Sequence, residues 1–249
     1  MKDSRIVMGM PVTVEVVDIQ TSMSDIDSVF DYFKYVNDVF SVHKHDSEIS
    51  CINRGEITPQ SWSADMKEIF ALAEDTRRVT GGYFDALRPD GLYDPSGIVK
   101  GWAIERAKKL LQARGLKHFC IEAGGDIALS GSNSSGAKWI VGIRNPFKLE
   151  TIMKTIYGTD CGVATSGNYL RGNHVYNPKT KKHASEEVVS VTVIGPNVYE
   201  ADRFATAAYA MGREGISFIE KMNGFEGYMI DNKGIATFTS GFEQYTYIK

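Results

Sequence analysis

The sequence predicts an α+β fold, a single compact unit of mainly antiparallel sheets with packed helices. Three observations favour this class: amphipathic helical segments fill much of the first half, strand patterns dominate the second half, and neighbouring strand patterns are joined by links of hairpin length. No Pro/Ser-rich linker or charge run divides the 249 residues. We therefore predict one domain over residues 1–249.

The first half is predicted to begin with a strand that two helices follow. Residues 12–17 alternate in part between apolar and polar side chains, which indicates a strand. In the first helix, Ser24 is the expected N-cap and Asp27 the acid of a capping box. Its expected buried stripe is Ile26, Val29, Phe30, Phe33, Val36 and Phe40. A second helix is predicted from Ser63 toward Gly81, with Met66, Ile69, Phe70 and Ala73 facing inward.

The third helical pattern is the clearest, and strand patterns follow it. Its expected inward residues are Val99, Trp102, Ala103, Ala107, Leu110 and Leu111. Gly115 stands where a left-handed residue commonly ends a helix. Strands are predicted at residues 119–123, 127–129, 139–143, 153–157, 188–194, 228–230 and 235–239, and helices at residues 201–211 and 216–222.

Composition and charge exclude several classes of protein. The net charge of −3 argues against binding to a nucleic-acid backbone, and no apolar run reaches the roughly 20 residues of a membrane span. The three cysteines are widely separated, so they indicate neither a disulfide framework nor a metal knuckle. We expect a cytoplasmic protein or, alternatively, the mature part of an exported one.

A turn that opens directly into the third helix predicts an anion site. Gly97 lies at the helix start, where backbone N–H groups and the positive end of the helix dipole favour negative charge. Lys100, in the first turn, adds a charge suited to phosphate. The alternative is an ordinary helix start with Ser96 as the N-cap and Lys100 in solvent.

Two later stretches also have the chemistry of a ligand site. Gly124 and Gly125 would allow a flat or phosphorylated ligand to approach the backbone, with Asp126 accepting a hydrogen bond from it. The alternative is a hairpin or bulge in which Asp126 is a turn residue. In the second stretch, hydroxyl residues precede His174, which would move a proton. The alternative there is a polar hairpin with His174 bonded to a backbone carbonyl.

Asp202 and Thr206 are spaced to share one face of a helix. A carboxylate and a hydroxyl one turn apart suit Mg²⁺, which keeps several waters and completes its shell with substrate phosphates. The alternative is a favourable first-turn acid beside a hydroxyl that bonds back to a carbonyl.

Ordered motifs along nearly the whole chain resemble those of the ApbE family, the bacterial FAD:protein FMN transferases. The motifs are residues 8–10 (MGM), 46–53 (DSEISCIN), 81–85 (GGYFD), 97–103 (GIVKGWA), 123–126 (AGGD), 164–169 (ATSGNY), 174–178 (HVYNP) and 200–206 (EADRFAT). The resemblance implies an α+β unit of two related halves, of T-fold type. It also implies Mg²⁺-dependent transfer of FMN from FAD to a threonine or serine hydroxyl of a target flavoprotein, with release of AMP.

The resemblance assigns roles residue by residue. It implies that the Gly97 carbonyl and the Asp202 and Thr206 side chains hold the metal. His174 and Asp202 are the implied catalytic residues. The expected FAD contacts are Met8, His43, Tyr83, Phe84, Asp85, Asp94, Lys100, Gly124, Gly125, Asp126, Thr165, Ser166 and Tyr176.

The chain departs from the family pattern in two places near the expected ligand. His43 stands where the family usually has a tyrosine against the flavin, and the link from Asp85 to Asp94 is short. Two alternatives to the transferase stay open, and these departures favour only the second of them. One is an FAD pyrophosphatase that releases FMN and AMP, and the other is an FAD-binding protein without turnover.

Overall fold

An eight-stranded antiparallel sheet organises the chain. The computed structural model describes residues 1–168, 176–183 and 187–247. The strands of this sheet are β1 (Lys2–Val7), β2 (Met10–Val16), β3 (Phe119–Ala123), β4 (Asp126–Ser130), β7 (Gly162–Gly167), β10 (Val188–Gly195), β11 (Glu226–Asp231) and β12 (Ala236–Phe238). Two-stranded ribbons are formed by β5 (Trp139–Arg144) with β6 (Ile152–Gly158) and by β8 (Tyr176–Asn177) with β9 (Lys182–His183).

The strand order divides the sheet into two similar halves. The helices are α1 (Met23–Phe40), α2 (Glu48–Asn53), α3 (Ala64–Val79), α4 (Ser96–Ala113), α5 (Val198–Met211) and α6 (Gly215–Glu220). The order across the sheet is β1-β2-β3-β4-β7-β10-β11-β12. In each group of four strands, helices are inserted between the second and the third, so the chain repeats one topology. The predicted α+β class with two related halves is therefore confirmed.

Alternation along the strands separates two apolar layers. Ala128 and Ala164 pack toward the helices, whereas their neighbours Leu129 and Val163 pack with the β5–β6 ribbon on the other face. The predicted stripe of α1 lies wholly in the core beneath the helices. Leu110 was predicted to face inward from α4, which is wrong, because 37 % of it is exposed.

Two tight turns lie at the same end of the sheet. Met8 and Gly9 join β1 to β2, and Gly124 and Gly125 join β3 to β4. All four residues have positive φ, as two-residue hairpins of matching twist require. The turns are neighbours because β2 pairs with β3, and the backbone N–H of Gly124 donates to the carbonyl of Pro11. The C-terminal end of β7 lies at the same end of the sheet.

The two predicted helix caps are displaced. The capping box of α1 joins Ser22 and Asp25, two residues before the predicted pair, while Asp27 instead binds Arg5. Both serines in this stretch have an aspartate three positions later, so spacing cannot choose between them. At α4, Ser96 is the first helical residue rather than the N-cap, and its backbone N–H donates to the Asp94 side chain at 3.1 Å.

Candidate active site

The N-terminal part of α4 crosses α5 at Gly101. The Gly101 backbone N–H donates to Oδ2 of Asp202 over 2.8 Å. A Cβ atom at this glycine would lie 2.7 Å from Cβ of Asp202 and 3.0 Å from the carbonyl oxygen of Val198. Glycine is thus needed here for close helix approach. Gly101 lies within the motif at residues 97–103, but the sequence indicated no role for it.

A buried group of three charges lies beside this crossing. Nζ of Lys100 is 2.6 Å from Oδ2 of Asp126 and 3.7 Å from Oδ1 of Asp202. The exposed fractions of the three side chains are 17 %, 0 % and 3 %. The alternative that Lys100 is a solvated helix-start residue is therefore wrong.

The surroundings of Asp202 make its charge dependent on a neighbouring cation. Burial raises the pKa of Asp202 well above its usual range. The Lys100 ammonium opposes this rise, and the nearby Asp126 carboxylate adds to it. A buried carboxylate of this kind is held in its ionised form by a cation or by hydrogen bonds. The site therefore favours bound positive charge.

Hydroxyl groups complete the side of the site that α5 provides. Oγ1 of Thr206 lies 3.1 Å from Oγ of Ser166, at the end of β7. Gly97 is next to them, since a Cβ atom there would lie 3.6 Å from Cγ2 of Thr206 and 3.0 Å from the Phe84 ring. The fold thus brings Gly97 and Thr206 together, one helical turn from Asp202.

These donors fit Mg²⁺ better than a softer metal. A backbone carbonyl, a hydroxyl and one carboxylate form a set of hard oxygen ligands, which leaves room for waters and phosphate oxygens. Across residues 1–168, 176–183 and 187–247, no group of three or more His, Cys, Asp and Glu side chains is arranged to hold a metal. A metal at this site therefore depends on the carbonyl and the hydroxyl as well.

The segment that leads into α4 is held from two sides. The Asn53 side-chain amide donates to the carbonyl of Tyr93 over 2.9 Å and accepts from its backbone N–H over 2.8 Å. The Tyr176 hydroxyl donates to the carbonyl of Leu87 over 3.0 Å. Together these bonds fix the chain just before Asp94. The role of Asn53 was missed because a contact between residues 40 positions apart leaves no spacing signal.

Aromatic side chains beside α4 are partly covered. The Phe84 ring is buried against Gly97. Nζ of Lys179 lies 4.1 Å from the centre of the Tyr83 ring, a cation–π contact. The Asp85 side chain accepts from the backbone N–H of Leu87 over 2.8 Å. Of these expected FAD contacts, Phe84 therefore lies directly against the start of α4.

The other predicted contacts divide between this sheet end and more distant positions. Met8 lies in the β1–β2 turn with φ of 55°, an uncommon conformation for a residue with a side chain. The Thr165 backbone N–H donates to Oδ1 of Asp126, while its hydroxyl pairs with Thr192 at 2.8 Å. His43 is exposed in the link between α1 and α2, and no described contact joins it to the charged group. The predicted roles of these residues stay predictions.

One predicted catalytic residue, His174, lies outside the described residues. Tyr176 begins β8 just after it and binds the segment that leads into α4. Of the two predicted catalytic residues, the described structure therefore places Asp202 alone.

The fold is α+β, with an antiparallel sheet made of two similar halves. Charged side chains and oxygen atoms cluster where the halves meet, and such a site suits a divalent cation and a phosphorylated ligand. The chain belongs to the ApbE family, whose model matches residues 8–89 and 86–229. The family resemblance predicted from the motifs is confirmed.

Curated relatives carry the name FAD:protein FMN transferase. The Vibrio cholerae protein is 33 % identical over 135 residues, which are 51 % of this chain and 40 % of the relative. The Escherichia coli K12 protein is 30 % identical over 161 residues, 61 % of this chain and 46 % of the relative. The Haemophilus influenzae protein is 24 % identical over 282 residues, 87 % of this chain and 82 % of the relative. The first two matches thus span less than half of each relative's length.

Solved structures show the same fold. The flavin transferase ApbE from Vibrio cholerae superposes with a TM-score of 0.85 at 24 % identity, covering 98 % of both chains. The ApbE protein of Thermotoga maritima gives a TM-score of 0.85 at 20 % identity, covering 99 % of both chains. No helix of the described residues is both long enough and apolar enough to cross a membrane.

Proposed function

We propose that this protein transfers FMN from FAD to a threonine or serine hydroxyl of a target flavoprotein, with Mg²⁺ as the cofactor and AMP as the second product. One observation carries the proposal. Gly97, Thr206 and Asp202 meet at the N-terminal end of α4, next to the buried Lys100 and Asp126 side chains. The names of the curated relatives support the same activity.

Binding of the FAD pyrophosphate is assigned to the N-terminal end of α4. The positive end of its helix dipole favours the phosphates. Met8, Gly124 and Gly125 lie at the end of the sheet where the two hairpin turns are neighbours. Mg²⁺, held by the Gly97 carbonyl, Asp202 and Thr206, would neutralise phosphate charge. Asn53 fixes the segment before α4 and so orients this end of the helix.

The chemical step exchanges one phosphorus–oxygen bond for another. The acceptor hydroxyl oxygen bonds to the FMN phosphorus while the bond from that phosphorus to the AMP oxygen breaks, and AMP leaves. The hydroxyl proton passes to a base. His174 and Asp202 are the proposed residues for this transfer, with Asp202 already held in place by the Gly101 N–H.

The test is incubation of the protein with FAD, Mg²⁺ and a candidate flavoprotein. We expect flavin fluorescence on the denatured acceptor band, a mass increase equal to one FMN less one water, and an equal amount of AMP. Replacing the acceptor hydroxyl residue with alanine is the control. FMN and AMP released without labelled acceptor would indicate a pyrophosphatase, and bound FAD without products would indicate a binding protein.

A further inference from the structure

The two buried carboxylates compete for one ammonium group. Nζ of Lys100 lies 2.6 Å from Asp126 and 3.7 Å from Asp202. The first distance is that of a direct ion pair, and the second leaves Asp202 in electrostatic range without a hydrogen bond. The ammonium is therefore closer to Asp126 than to Asp202, although it forms an ion pair with each.

Asp126 is rigidly held in this arrangement. It directly follows the Gly124-Gly125 turn and pairs across it with Ala123. Its Oδ1 atom accepts from the backbone N–H of Thr165 over 3.1 Å, and its side chain is fully buried. The other oxygen, Oδ2, is thereby directed at Lys100.

Asp202 has one oxygen committed elsewhere. Oδ2 accepts the Gly101 N–H, and Oδ1 is the atom nearest Lys100, so Oδ1 is the oxygen that we assign to a cation. The Asp126 carboxylate also interacts directly with the Asp202 side chain. A flexible lysine side chain can reach either carboxylate, because its ammonium is a point charge on a long stem. An ammonium seated on Oδ1 would repel a divalent cation at the same oxygen. At an effective dielectric constant of about 20, the energy of this repulsion exceeds the binding free energy that corresponds to a tenfold change in affinity.

We propose that Asp126 is a positioning residue that holds the Lys100 ammonium away from Asp202, so that Oδ1 of Asp202 stays available to a divalent cation. The proposal rests on the metal site of the proposed function. It gives Asp126 a role through Lys100 rather than as a direct contact of FAD or of the metal.

The proposal is tested by titrating the whole protein with Mn²⁺ in the absence of FAD. Electron paramagnetic resonance measures the concentration of the free ion. We expect Asp126→Asn to weaken Mn²⁺ binding by about tenfold or more, since the released ammonium moves onto Asp202. Adding Lys100→Met to that variant is expected to restore most of the affinity. The matched control adds Lys109→Met instead, an exposed lysine of the same helix, and should restore nothing. Thermal melting of each variant checks folding.

A crystal structure of metal-free Asp126→Asn supplies a second measurement. The distance from Lys100 Nζ to Asp202 Oδ1 is expected to shorten from 3.7 Å to hydrogen-bond range. Unchanged Mn²⁺ affinity, a loss that persists with Lys100→Met, equal recovery with Lys109→Met, or an ammonium that stays in place would each overturn the proposal. If Asp126→Asn does not fold, the single variant Lys100→Met tests the proposal. Weaker Mn²⁺ binding by Lys100→Met than by wild type would contradict a competition between the ammonium and the cation for Asp202. A wild-type protein that binds no Mn²⁺ would refute the metal site itself, a distinguishable result.

Discussion

The crossing of α4 and α5 predicts that Gly101→Ala impairs flavin transfer far more than folding. The new methyl group would lie 2.7 Å from Cβ of Asp202, whereas carbon atoms in good contact are about 3.5–4.0 Å apart. The two helices must therefore separate by about 1 Å. Overpacking costs about 1–3 kcal/mol, and replacing a helical glycine regains about 1 kcal/mol, so the free energy of unfolding should fall by about 0–2 kcal/mol.

The same displacement acts directly on the site. Asp202 would lose its hydrogen bond from the Gly101 N–H and shift relative to Gly97, and a misplacement of about 1 Å can reduce a catalysed rate about a hundredfold. Urea unfolding and FAD-dependent labelling of an acceptor flavoprotein measure the two effects, with Lys109→Ala on the exposed side of α4 as the control. A folded Gly101→Ala protein that labels its acceptor at the wild-type rate would refute this account of the helix crossing.

Four other changes give distinct expectations. Asp202→Ala should abolish transfer and weaken Mn²⁺ binding while leaving a cooperative thermal transition, and transfer that persists in EDTA would contradict a metal role. If His43 faces the flavin ring, His43→Tyr should tighten FAD binding up to about tenfold in calorimetry, since an aromatic pair contributes about 0.5–1.5 kcal/mol. An unchanged FAD affinity would show that His43 does not face the ring. Asn53→Ala should raise the KM for FAD, because Tyr93 loses both hydrogen bonds before α4, with partial recovery in Asn53→Gln. Hydrogen bonds at the start of α1 lower the pKa of Asp25 to about 2, so Asp25→Asn should be less stable than wild type at pH 7. The difference between the urea unfolding midpoints of the two proteins should disappear as the pH falls from 4 toward 2.

Local patterns were sufficient to predict most elements and one face of the site. The apolar spacing of α1 predicted its buried stripe, because a helix places every third or fourth residue on the same side. Asp202 and Thr206 were predicted to share a helical face for the same reason. Gly124 and Gly125 indicated a tight hairpin through their tolerance of positive φ, although the same glycines also allowed a bulge.

Contacts distant in sequence were beyond prediction. The ion pair between Lys100 and Asp126 depends on how α4 lies over the sheet, which no residue spacing encodes. The two faces of β7 show a finer limit. Thr165 and Ser166 are both predicted to contact ligand, and the sequence did not indicate that the first hydroxyl pairs with Thr192 and the second with Thr206. Strand register, set by long-range pairing, decides which hydroxyl faces the helices.

The location of the site follows from the duplicated topology. The first half of the fold supplies Gly97 and Lys100 on α4 and Asp126 on β4. The second half supplies Ser166 on β7 and both Asp202 and Thr206 on α5. The strands that join the halves, β4 and β7, pair through Ile127 with Val163 and Ala128 with Gly162. The bond from Gly101 to Asp202 and the bond from the Thr165 N–H to Asp126 also cross this junction. A ligand bound at the proposed site would contact both halves at once, so its binding free energy would add to the stability of their association. If the proposed site binds a cation, cation binding and the joining of the halves would therefore be coupled through the same few residues.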